Sequence, residues 1–245
     1  MKIDKYKYLK NSKYEVIINN EKYIIYEDII LKNELLIKKE ISKRELDLLL
    51  EENNFYEAYY KSIKYINLKL RTKKEIEDYL KRNEFDKKTI SSVITRLEEE
   101  KYLDDDIYSK AYIHDQIVLK LVGPNKIKKD LIKLKIKEDI IDKNIIIYTK
   151  DIELEKLEKL ISKAINTNKN KSSYMLKNKI LADMINRGFT KEYIEEILNN
   201  KNIDDADIYQ KEYDKLYNKL SKKYQGKELE YKIKQKLYQK GFKQN

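Results

Sequence analysis

Apolar and polar positions along this chain fall into a signature that returns four times. Phe85, Ile136, Phe189 and Phe242 close it, at intervals of 51, 53 and 53 residues. Nine residues before each stands Ile76, Ile127, Ile180 or Ile233, and five before each stands Leu80, Leu131, Met184 or Leu237. Two apolar residues four apart share a helix face, and a third five further on fits the residue that closes the helix end. The pattern continues at Ile90, Ile141 and Ile194, then at Ile94, Ile145 and Leu198. No such second half follows Phe242 before Asn245. A period near fifty residues predicts a helical array.

Between these signatures the elements fill in. Phe55, Tyr59, Ile63, Ile66 and Leu70 form one helical stripe. Thr72 and Glu75 make a capping box ahead of Ile76, Tyr79 and Leu80, and Asp86 caps a helix carrying Ile90, Val93, Ile94 and Leu97. Leu103-Asp104-Asp105 opens a second unit through Ile107, Tyr108, Ala111 and Tyr112. Gly123-Pro124 then breaks the chain, with Pro124 suited to a first helical turn that needs no amide donor. Thr190 is placed to cap the last helix of a third unit, and Ile203-Asp204-Asp205 echoes the second unit's opening. The first forty residues differ. Tyr14 to Ile18 and Lys22 to Tyr26, joined by Asn19-Asn20, predict a β-hairpin. Ser42 and Glu45 then form a capping box that opens a helix through Leu46, Leu49 and Leu50.

The expected fold is all-α: tandem three-helix repeats in an elongated, curved array, with a small N-terminal β-hairpin. The expected modules are 1–52 (hairpin plus helix), 53–102, 103–150 and 151–202 (three helices each) and 203–245 (two helices). Repeats this small must share contacts with their neighbours.

Composition supports helices on short connections. Charged residues make up 40% of the chain, against four Gly, one Pro and no Trp, while 41% apolar content suffices for packed cores. Zero Cys removes disulfides, thiolate catalysis and Cys-based zinc sites. No segment approaches the roughly 18 apolar residues of a membrane span, and Met1 to Tyr6 holds no signal-peptide core. A cytoplasmic protein without membrane attachment is the expectation.

Catalytic constellations are missing from the pattern. The one His, His114, has no triad context, four scattered Gly build no phosphate loop, and acidic runs such as Glu98 to Glu100 fall at helix ends. No catalytic residue, metal or cofactor is therefore expected. The net charge of +11 favours acidic partners, although Lys-, Ile- and Asn-rich composition also follows from an A/T-rich genome. Seven Lys and one acid, Asp130, lie between Lys120 and Lys137. After Pro124, apolar Ile127, Leu131 and Leu134 face inward, which leaves Lys126, Lys129 and Lys133 as an outer stripe that can follow a phosphate backbone. Arg71, Lys73 and Lys74 crowd the start of another helix, with Arg82 near its end, although cations at a helix start oppose its dipole. Lys120 completes the candidate contact set. Most of the 22 Tyr are expected in packing, among them Tyr59, Tyr79, Tyr108, Tyr112 and Tyr148 on the apolar stripes.

Three of these segments carry a family resemblance. Arg71-Thr-Lys-Lys-Glu75-Ile76 with Tyr79, Leu80 and Phe85 resembles the first-repeat signature of the RecX family, bacterial regulators of the RecA recombinase. Leu103-Asp104-Asp105 with Tyr108, Ala111 and Tyr112 is similar to the family's second-repeat opening, and Gly123-Pro124-x-Lys126-Ile127 with Leu131 and Ile136 to its Gly-Pro-x-Arg/Lys-Ile segment. The hairpin resembles the extended start of members from low-G/C Gram-positive bacteria. Two positions depart: no Arg matches a family Arg near His114 to Leu119, and Asp130 stands where Glu is common.

The resemblance implies a non-enzymatic monomer whose repeats lie in the groove of a RecA–DNA filament. There it would modulate, and most often inhibit, recombinase and ATPase activity. It implies Arg71 and Lys126 as contacts and Asp104, Asp105, Gly123 and Pro124 as structural. The expected partners are the RecA filament and single- or double-stranded DNA, reached directly or through the filament. A stand-alone nucleic-acid-binding helical array is the alternative, and an adaptor for another acidic protein a third reading.

Overall fold

The computed structural model describes residues 1–168 and 170–242. Among the described residues, three antiparallel strands, β1 (Ile3–Leu9), β2 (Lys13–Ile18) and β3 (Glu21–Tyr26), precede twelve helices. These are α1 (Glu27–Lys32), α2 (Lys43–Ile66), α3 (Lys73–Arg82), α4 (Lys87–Glu99), α5 (Asp105–Leu119) and α6 (Pro124–Lys133). Then follow α7 (Glu138–Ile145), α8 (Lys150–Thr167), α9 (Ser173–Asn186), α10 (Lys191–Asn200), α11 (Ala206–Leu220) and α12 (Gly226–Gln239). The chain divides into two compact units, Met1–Tyr108 and Ser109–Asn245.

The recurrent signature is a helix-closing device. Phe85, Ile136, Phe189 and Phe242 each donate their N–H to the carbonyl five residues back, at Leu80, Leu131, Met184 and Leu237 (3.0–3.2 Å). The residue before each, Glu84, Lys135, Gly188 or Gly241, is left-handed, with φ between 61° and 84°. That pairing is the Schellman closure, in which the post-helical side chain folds back onto the helix's last turn. Accordingly Ile136, Phe189 and Phe242 are buried and Phe85 is half-buried against its own core.

In the Met1–Tyr108 unit the sequence predicts two strands and the structure has three. β2 pairs with β3 from Lys13↔Tyr26 to Ile18↔Glu21, turning through Asn19 and Asn20 at φ 46° and 66°. β1 pairs on the other edge of β2, with a register irregularity between Ile3 and Lys5. Val16, Ile18 and Ile25 pack with Ile29, Ile30 and Leu35 into a core that also takes Leu46 and Leu49 of α2. Both capping boxes form, at Ser42/Glu45 and Thr72/Glu75, and Asp86 accepts the Thr89 N–H at 3.0 Å.

Helix α2 runs unbroken through positions 52–53, where the hydrophobic pattern suggests a module boundary. No Gly, Pro or capping residue interrupts it there, and its Asn pair joins two cores instead. Asn53 accepts the Tyr26 N–H (3.0 Å) and donates to the Ile24 carbonyl (2.9 Å), while Asn54 donates to the Thr89 hydroxyl (3.3 Å). The second core gathers Ala58, Ile76, Leu80, Val93 and Leu97 from α2, α3 and α4. Leu70 lies past the end of α2 and is exposed.

In the Ser109–Asn245 unit, α8 to α10 enclose Leu157, Ile161, Ile180, Met184 and Ile194, and α11 and α12 enclose Leu216, Ile233 and Leu237. The second helices of successive repeats meet head to tail. Gly123 and Asn125, at the start of α6, donate to the Arg187 and Gly188 carbonyls at the end of α9 (2.9 and 3.0 Å). At the start of α9, the Ser172 hydroxyl donates to the Lys240 carbonyl (2.8 Å) at the end of α12. At the α6–α9 joint, amides at the start of one helix thus meet carbonyls past the end of the other. Thr190 occupies the N-cap position of α10, but its hydroxyl makes no capping bond; its N–H donates to the buried Glu153 (2.6 Å).

Candidate functional site

Helix α6 carries the clearest lysine-lined surface among the candidates. Ile127 and Leu131 are fully buried and hold its inner side, so the outer side carries Lys126, Lys129 and Lys133. Lys126 pairs with Asp130 at 2.9 Å and Lys133 reaches the same carboxylate oxygen at 3.7 Å. Lys129 is exposed and has no carboxylate within ion-pair distance among the described residues. Ion pairs this exposed contribute about 0–1 kcal/mol, so a phosphate can displace Asp130 without large loss. A fourth lysine, Lys128, points elsewhere and pairs with Asp142 of α7 at 2.7 Å. Lys120 lies exposed just after α5, three residues ahead of Gly123.

The stripe sits on a fixed base. A Cβ on Gly123 would stand 2.3 Å from the Gly188 oxygen, and one on Gly188 would stand 2.2 Å from the Lys126 nitrogen. Only glycine at both places lets the two backbones touch. Lys156 of α8 adds a second tie, donating to the carbonyls of Ile117 in the last turn of α5 (2.5 Å) and of Lys120 just after it (2.7 Å). Burial lowers its pKa below the usual lysine value. Tyr148 donates to the Val122 carbonyl at 2.8 Å, anchoring the segment that leads into α6.

The other candidates, on α3 and just ahead of it, are largely committed to their own fold. Arg71 is nine-tenths buried, with its guanidinium 3.6 Å over the Tyr65 ring, which stacks on Tyr79 at 4.3 Å. It pairs with Glu75 at 3.2 Å, and its buried Nε has no hydrogen-bond partner. Lys73 pairs with Glu98 of α4, a bond that raises its pKa, and Lys74 pairs with Asp78 at 2.5 Å, which lowers the carboxyl's. These acids offset the dipole penalty that cations meet at a helix start. Arg82 donates to the Asp78 carbonyl at 3.2 Å, so Lys74, Asp78 and Arg82 line one face of α3. The α3 set and the α6 stripe fall in different compact units.

Among the expected structural residues, Asp104 caps α5 by accepting the Asp106 and Ile107 N–H groups (2.9 and 3.1 Å). In the fourth repeat Asp204 accepts from Ala206, while Asp205 turns to the Ser173 N–H of α9. His114 is exposed on α5. No group of three or more metal-ligating side chains occurs among the described residues.

Fold and surface together define a helical-repeat protein with a lysine-lined helix on a rigid inter-repeat joint. Residues 58–97 match the family model for the first three-helix domain of RecX. The chain is 30% identical over 190 residues to a regulatory protein RecX from Bacillus cytotoxicus, covering 78% of this chain and 70% of that one. It is 29% identical over 210 residues to a regulatory protein RecX from Listeria monocytogenes, covering 83% and 78%. A crystal structure of regulatory protein RecX superposes with a TM-score of 0.72 at 20% identity, covering 82% of this chain and 99% of that one. RecX from Lactobacillus salivarius gives 0.56 at 28% identity, covering 61% and 97%. The chain belongs to the RecX family of regulatory proteins.

Proposed function

We propose that this protein regulates RecA by binding the RecA–DNA filament and lowering its recombinase and ATPase activity in recombination and DNA repair. It does so without chemistry of its own, as a cytoplasmic monomer. The observation that carries this reading is the α6 lysine stripe, with Lys129 unpaired and its backbone held by the Gly123–Gly188 contact, in a family of regulators. A stripe of ammonium groups on a rigid helix suits a regularly charged, extended partner. Arg71 contributes by setting the start of α3 through its stack on Tyr65 and its pair with Glu75, and Lys126, Lys129 and Lys133 make the contact. No helix among the described residues is long and apolar enough to cross a membrane.

The test is strand exchange and ATP hydrolysis by RecA on single-stranded DNA, with the purified chain added. Inhibition that saturates with added protein is the expected result; no effect at saturation refutes the proposal. Tight, salt-sensitive binding to DNA or RNA alone, with none to RecA, assigns the stand-alone nucleic-acid reading instead.

A further inference from the structure

One cleft in the Met1–Tyr108 unit differs from its neighbours in charge. It encloses about 510 Å³ between the β1–β2 turn (Asn11, Ser12, Lys13) and α2 (Tyr60, Lys61, Lys64), with Tyr26 at its floor. Three lysines line it and no carboxylate does. A second cleft, beside Phe55, sets Glu51 and Glu52 against Lys88, and a third, beside Ile90, sets Glu77 and Glu98 against Lys81 and Lys87. Around the first cleft, Glu57 pairs with Lys61 at 3.0 Å and Asp28 accepts the Tyr60 hydroxyl at 2.6 Å. Lys13 and Lys64 have no carboxylate within ion-pair distance among the described residues. Lys13 instead rests its ammonium 4.5 Å from the centre of the Tyr26 ring.

The rim is rigid as well as charged. Asn11 and Ser12 are both left-handed, at φ 62° and 54°, a conformation that residues bearing a side chain adopt rarely. The Ser12 carbonyl accepts the Glu27 N–H at 2.9 Å, which fixes the turn to the start of α1. Tyr26 and Tyr60 stack at 5.1 Å and 24°, giving the cleft a firm aromatic floor. Lys13 and Lys64, which lack a counter-charge, repel each other, and an anion entering the cleft relieves both. A phosphate ester concentrates one to two negative charges and several acceptor oxygens on one small group, whereas a carboxylate offers one charge and two oxygens. The volume lies within the range of small-molecule sites.

We propose that this cleft binds a phosphate ester, either a free nucleotide or one nucleotide of a nucleic-acid strand. The proposal goes beyond the RecA reading and is tested without RecA. Calorimetric titration of the full-length chain with inorganic pyrophosphate, ADP and a dodecameric oligo(dT) is compared with the same titrations of Lys13→Gln/Lys64→Gln. A second variant, Lys222→Gln/Lys223→Gln, removes equal charge from an exposed site elsewhere. The expected result is binding that weakens roughly tenfold in the cleft variant and stays unchanged in the control, as loss of charge-assisted bonds requires. Binding of ADP assigns a free nucleotide, and binding of oligo(dT) alone assigns a strand. Lack of binding by all three probes overturns the proposal, as does equal weakening in both variants. Binding of an oligoglutamate peptide in place of every phosphate probe also overturns it. Thermal unfolding checks that the cleft variant folds, and Lys64→Gln alone serves if the pair does not.

Discussion

Replacing Gly123 by alanine tests the joint between the second and third repeats. The backbone of Gly123 is ordinary, at φ −87° and ψ 167°, so alanine adds no conformational strain there. What it adds is a methyl group 2.3–2.4 Å from the Gly188 carbonyl and the Phe189 nitrogen, backbone atoms that cannot rotate away. The start of α6 must lift, which breaks the Gly123 to Arg187 and Asn125 to Gly188 hydrogen bonds. Two such bonds contribute about 1 kcal/mol each, and overpacking against a rigid neighbour adds about 1–3 kcal/mol. The expected destabilisation is about 3–5 kcal/mol in urea unfolding followed by circular dichroism. A second transition should appear as neighbouring repeats uncouple. Gly226→Ala is the control: its φ is +55° but a Cβ there meets nothing within 4 Å, so the loss should be about 1 kcal/mol. A Gly123→Ala chain within about 1 kcal/mol of the wild type, or level with Gly226→Ala, refutes the reasoning.

Three further outcomes follow from other contacts. Glu84→Gly should stabilise by about 0.5–1 kcal/mol in the same assay, because Glu84 is an exposed residue held at φ 64° in the first Schellman closure. Lys156→Met should destabilise by about 1–2 kcal/mol, since the Ile117 and Lys120 carbonyls at the C-terminal end of α5 lose their donor. Glu45 accepts the Ser42 N–H, which draws its pKa to about 2. A carboxylate lowered in the folded state stabilises fully above its unfolded value, about 4.3, and loses that contribution as pH falls through the folded value. Fraying at the start of α2 should therefore develop between about pH 4.3 and 2, and Glu45→Gln, which removes the titrating carboxyl, should abolish that dependence in NMR amide shifts.

The helix closures were legible because they are local: the side chains at minus nine, minus five and zero lie within one helix and its cap. The capping boxes were legible for the same reason. Strand β1 was harder, because Tyr6 and Tyr8 do alternate with Lys5 and Lys7, but its outer positions are mostly charged and the irregularity at Ile3/Lys5 breaks the period. The expected module bound at 52–53 falls inside α2, where Asn53 and Asn54 bond to β3 and Thr89 instead of capping a new helix. In the candidate site, the α6 stripe followed from spacing alone. The burial of Arg71 did not, because it needs Tyr65 and Tyr79 to arrive from two different helices. The joint that supports α6 joins backbone atoms more than sixty residues apart, and backbone contacts leave no side-chain pattern to read.

Binding to RecA filaments on single-stranded DNA, measured against salt, tests the central claim most directly. The chain and its Lys126→Glu/Lys129→Glu/Lys133→Glu variant are compared, with unfolding curves showing that both fold. If the stripe meets the filament, the wild type binds and the variant binds more weakly, with a logarithmic salt dependence shallower by roughly two to three. Equal affinity and equal salt dependence for the two chains, or no binding by the wild type, would contradict the account.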